Sequence, residues 1–71
     1  MHRYFINDHA QLTGEHVVHE EHCKHFRYIV SKTDIGYHPN CIIALIIAKQ
    51  HYDKVDGCKD CIPRCHDIKN K

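Results

Sequence analysis

Apolar residues in this chain fall into short clusters separated by polar turn formers, and only one cluster is long. Arg3-Tyr4-Phe5-Ile6-Asn7 is aromatic and β-prone and predicts a first strand, which ends at the turn formers Asn7-Asp8. Thr13-Gly14 marks another break. Val17-Val18-His19 reads as a second short strand or as the entrance to a metal loop. Phe26-Arg27-Tyr28-Ile29-Val30 reads as a further strand, Ser31-Lys32-Thr33-Asp34 as a turn, and Ile35-Gly36-Tyr37 as one more strand segment.

The long cluster starts at Cys41 and predicts the main helix, over about 40–53. Asn40 suits the N-cap, Pro39 stops the helix extending backwards, and Lys49 and His51 put positive charge near its end. Its apolar residues Ile42, Ile43, Leu45, Ile46 and Ile47 wrap more than one face. A central helix buried against a small sheet is the simpler expectation, and a protein partner or a second copy of the chain is the other way to cover Ile43 and Ile47. The pattern as a whole predicts an α+β fold: an antiparallel sheet of two to four short strands packed on one helix.

At 71 residues the sequence has room for a single domain, spanning 1–71. A chain of this size buries only about 60% of the surface its unfolded form exposes, so its core needs a staple. Five Cys and nine His supply the means. The N-terminus lacks the apolar run of roughly 7–15 residues of a secretory signal, and an odd cysteine count fits a fully paired disulfide framework poorly. A cytoplasmic protein using its cysteines for metal or redox chemistry is therefore expected. The net charge of +1 is not the footprint of a phosphate-binding protein. The apolar run Cys41 to Ala48 is far short of the ~20 residues that span a bilayer.

The candidate chemistry lies in two places. Cys58-Lys59-Asp60-Cys61 follows Gly57, and two cysteines so spaced form a knuckle whose thiolates converge on one tetrahedral centre. Gly57 is expected to supply backbone freedom to that turn. Upstream, His19 and Cys23 stand four residues apart, a spacing that brings them together on one turn. His19, Cys23, Cys58 and Cys61 together make a closed set of one imidazole and three thiolates, a common structural zinc site that ties the N-terminal half to the tail. Cys65 is the alternate ligand, able to replace His19. It is equally able to pair with Cys41, for which a buried free thiol is the simpler expectation. His16, His22, His25 and His66 are expected to be solvated.

The pattern His19-x-x-x-Cys23, an aromatic strand, a helix and Cys58-x-x-Cys61 resembles the metal-binding domain of the Ada methyl-phosphotriester repair protein. It also resembles a set of small bacterial proteins, through Tyr4 to Asn7, Gly14 to Cys23, Gly36 to Ala44 and Cys58 to His66. The Ada likeness implies a zinc site and contact with DNA. All four ligands of that domain are cysteines, however, and the first of its C-x-x-x-C pair is the nucleophile that accepts a methyl group. Here His19 stands in that place, and imidazole lacks a thiolate's nucleophilic chemistry. The resemblance therefore implies metal and fold but not methyl transfer.

No glycine-rich phosphate loop, acid/base pair or Ser-His-Asp arrangement is legible in the sequence. The leading expectation is a non-catalytic, structural zinc-binding module. A nucleic-acid-binding module of the Ada-like type is the alternative, and a thiol redox or metal-sensing protein using Cys58 and Cys61 is a third.

Overall fold

The computed structural model describes residues 1–66. Four strands form one sheet: β1 (His2–Asn7), β2 (His16–Glu20), β3 (Lys32–His38) and β4 (Val55–Gly57), in the order β3-β1-β2-β4. The helix α1 (Cys41–Ala48) follows β3, and single 3-10 turns cover Phe26–Tyr28 and Pro63–Cys65. β1 runs antiparallel to both β2 and β3, whereas β2 and β4 pair in parallel. The α+β class is as expected, but the sheet is mixed rather than antiparallel.

β1 is one of the two inner strands and is covered on both faces, so Tyr4, Phe5 and Ile6 are all buried. Tyr4 and Ile6 join Val18, Ile35 and the helix residues Cys41, Ala44, Leu45 and Ala48 in the main cluster. Burial of side chains such as Ile6 and Val18 stabilises the fold by roughly 1.5–3 kcal/mol each. Phe5 points the other way and meets Phe26 edge-on, with ring centroids 4.8 Å apart. The register pairs Phe5 with His19 and Ile6 with Val18. His19 therefore shares the Phe5 face of the sheet, opposite to Val18.

Three local expectations are corrected. Phe26-Arg27-Tyr28-Ile29-Val30 is not a strand. The Phe26 N–H bonds back to Cys23 and the Tyr28 N–H to His25, so the segment folds as successive turns that bring Cys23 round. Tertiary demand overrides β-propensity here, and Tyr28 and Val30 are left exposed. Ser31-Lys32-Thr33-Asp34 is mostly strand, because β3 begins at Lys32 and pairs from there with Asn7. A register shift between Tyr4 and Phe5 leaves Ile35 as the extra residue of β3, and Gly36 next to it, opposite Tyr4, has a φ of +84° that suits glycine.

The helix is shorter than 40–53. Asn40 caps it as expected, accepting from the Ile43 N–H at 3.0 Å. After Ala48 the hydrogen bonds tighten to a three-residue reach at Gln50 and His51. This early end lets Tyr52 stack on His16, with centroids 3.6 Å apart, and bond Asp8 at 3.0 Å. Ile47 packs against the core, so the exposed apolar face is Ile42, Ile43 and Ile46. Among the described residues, no helix is long and apolar enough to cross a membrane.

Candidate metal centre

β4, which the sequence pattern did not suggest, positions the centre. Its parallel pairing sets Val55, Asp56 and Gly57 beside His16, Val17 and Val18, and the Cys58 N–H continues the ladder to the Val18 carbonyl at 3.0 Å. Cys58 is thereby delivered next to β2, one residue from His19. The chain then turns, with the Ile62 N–H bonding the Cys58 carbonyl at 2.9 Å, and Cys61 sits on that turn. From the other side, the Cys23 N–H bonds the Glu20 carbonyl at 2.9 Å, folding Cys23 back under His19.

One donor atom each from His19, Cys23, Cys58 and Cys61 lies within 4.8 Å of all the others. His19, Cys23 and Cys58 are buried and Cys61 half-buried. Cys23 Sγ is 3.5 Å from His19 Nδ1 and 3.8 Å from Cys58 Sγ. A tetrahedral ion with metal–sulfur distances of about 2.3 Å and a metal–nitrogen distance of about 2.0–2.1 Å sets sulfur edges near 3.8 Å and nitrogen–sulfur edges near 3.5 Å. The two measured edges match those values. The four residues that the sequence grouped are thus close enough together that they could hold a metal ion.

The surroundings favour thiolates that are neutralised by an ion. Burial pushes the Cys23 thiol up, although Cys61 and the His25 backbone oppose the shift. Burial likewise pushes the Cys61 thiol well up, with Cys23 adding to it. Burial, and then His25, hold the His19 imidazole below its usual range, so it is neutral and ready to donate a lone pair at neutral pH. The Glu20 N–H points at Cys61 Sγ at 3.4 Å, the kind of outer contact that orients a ligand.

Cys65 takes no part in this set. It is fully buried and joined to Cys41 by a disulfide, with Cα atoms 6.2 Å apart. The pairing weighed as one option for Cys65 is the one found, and Cys41 is not a free thiol. Gly57 also differs from expectation. It needs no left-handed conformation; a Cβ there would lie 2.8 Å from the Cys65 carbonyl oxygen. The glycine permits close approach of two backbones rather than an unusual turn.

Among the histidines expected to be solvated, His22 and His66 are exposed, His16 and His25 are half-buried, and His16, His25 and His66 have partners. His16 Nδ1 donates to the Asn7 carbonyl at 3.0 Å, beneath the Tyr52 ring. His66 Nδ1 donates to the Gly57 carbonyl at 2.9 Å and lies 3.3 Å from Asp56. His25 Nε2 bonds Asp60 Oδ2 across the rim of the metal cluster. Spacing gave no signal for the last pair, because it joins residues 35 apart in the chain.

No family model, curated protein or solved structure matches the chain.

Proposed function

We propose that the chain is a small zinc-binding module whose metal serves the fold rather than catalysis. The observation that carries this reading is the convergence of one imidazole and three thiols at tetrahedral spacing from two distant parts of the sequence. Thiolates and imidazole suit zinc, and four protein ligands leave no position for a reactive water. An ion there bridges β2 and the segment after β4, so its binding energy is also folding energy. A redox role for Cys58 and Cys61 is disfavoured by their convergence with His19 and Cys23 on one point, because a dithiol redox pair needs no such third and fourth donor. With a metal and a disulfide fixing its frame, the module offers Ile42, Ile43 and Ile46 as the apolar surface for a protein partner.

Removal of the metal tests the reading. A strong chelator added to zinc-loaded protein should abolish the dispersed amide NMR spectrum, and one equivalent of zinc should restore it. Retention of the native spectrum by metal-free protein would overturn the structural role.

A further inference from the structure

A second group of ligands stands against the first. Donor atoms of His25, Cys58 and Asp60 also lie within 4.8 Å of one another, and Cys58 Sγ belongs to both sets. We propose that this group is a second, outer metal site, bridged to the inner one through the Cys58 thiolate. The proposal rests on the inner-site reading and goes beyond it.

Three observations support it. The inner site would hold a divalent ion with three thiolates and a neutral imidazole, which leaves one net negative charge beside any second cation. A thiolate bound to one ion keeps lone pairs for another, and Cys58 faces both groups. His25 Nε2 and Asp60 Oδ2 already meet across the rim, so two of the three donors face each other beside Cys58.

The outer site differs from the inner one in exposure. Asp60 is exposed and His25 half-buried, and an open cavity of about 440 Å³ is lined by His25, Asp60, Cys58, His19 and His66. Three protein donors leave a fourth position that faces this cavity, an arrangement that admits water or an external ligand. Lys24 and Lys59 act on Asp60 electrostatically and weaken its hold on a cation. The outer ion is thus the looser and exchangeable one, suited to a soft or borderline divalent metal.

Cobalt(II) titration of metal-free protein, followed by its visible absorption and its electron paramagnetic resonance, tests this. Two ions bridged by a thiolate couple magnetically. The resonance should rise to one equivalent and then fall between one and two, as the absorption shows a second, weaker binding step. His25→Ala and Asp60→Asn should keep the first step and lose the second, with the resonance flat beyond one equivalent. Uptake of a single equivalent by the unaltered protein would overturn the outer site and leave the inner reading standing. So would a second step that survives in both variants. Failure to bind any cobalt would remove the inner-site reading, and this one with it.

Discussion

Replacing Cys41 and Cys65 together by alanine opens a covalent loop without touching the four metal donors. The bridge spans a sequence separation of 24 residues. The chain-entropy relation puts the freedom it removes from the unfolded chain at about 3.5 kcal/mol. Alanine avoids leaving a hydroxyl unpaired at the fully buried position 65. A domain this small has a total stability on the order of 5 kcal/mol or a little more, so the loss is a large fraction of it. With a urea dependence of about 1 kcal/mol/M, the midpoint should fall by roughly 3 M. The assay is urea unfolding followed by circular dichroism, at one fixed free-zinc concentration so that metal linkage is equal in both proteins. Bound zinc per folded chain should be unchanged. Loss of the ion in the double variant would show that Cys65 serves the metal, and a midpoint shift below about 0.5 M would show that no bridge constrains the chain.

Gly57→Ala should destabilise the fold by about 1–3 kcal/mol, because the added Cβ would meet the Cys65 backbone at 2.8–2.9 Å; thermal unfolding checks this, and an unchanged midpoint would refute it. Asp8 accepts from Ser31 Oγ at 2.7 Å, Thr33 Oγ1 at 2.6 Å and the Tyr52 hydroxyl at 3.0 Å, and these bonds, that of Thr33 first, hold its pKa below the usual carboxylate value. Because the folded pKa is the lower one, the stability it contributes is complete above about pH 4 and is lost as pH falls through the folded value. Asp8→Asn should therefore cost about 1–2 kcal/mol at neutral pH. Its gap from the unaltered protein should stay constant down to about pH 5 and narrow below about pH 4, and narrowing already at pH 6 would contradict the assignment. Cysteine thiols are mostly protonated at neutral pH in the metal-free chain and must each release a proton to bind a metal, whereas a neutral imidazole has none to give. Calorimetry in buffers of different ionisation enthalpy should find at least two protons released per ion at pH 7, and fewer would refute the thiolate ligation.

The helix cap at Asn40, the first two strands and the grouping of His19, Cys23, Cys58 and Cys61 were legible because each has a short-range signature: a capping residue, a β-prone run, a ligand spacing. What escaped was set by tertiary structure. The segment Val55–Gly57 contains an aspartate and a glycine, poor strand formers, and becomes β4 only because β2 offers an edge for parallel pairing. Phe26–Tyr28 has strand composition but is bent by the return of Cys23 toward His19. The helix ends at Ala48, and the early end goes with contacts of Tyr52 to His16 on β2 and to Asp8 just past β1, both far away in sequence. In the candidate centre, spacing singled out each ligand pair but not the His25–Asp60 contact between them, which exists only once both loops are folded.

The proposed structural ion is held by His19, Cys23, Cys58 and Cys61. Elemental analysis of protein produced without added metal, paired with native mass spectrometry, tests it most directly when Cys23→Ser, Cys58→Ser, Cys61→Ser and His19→Ala are measured beside the unaltered chain. One tightly held zinc per chain should survive dialysis, and it should be lost, with loss of native structure, in the three cysteine variants and in His19→Ala. A folded, metal-free protein, or cysteine variants that keep their zinc, would contradict it.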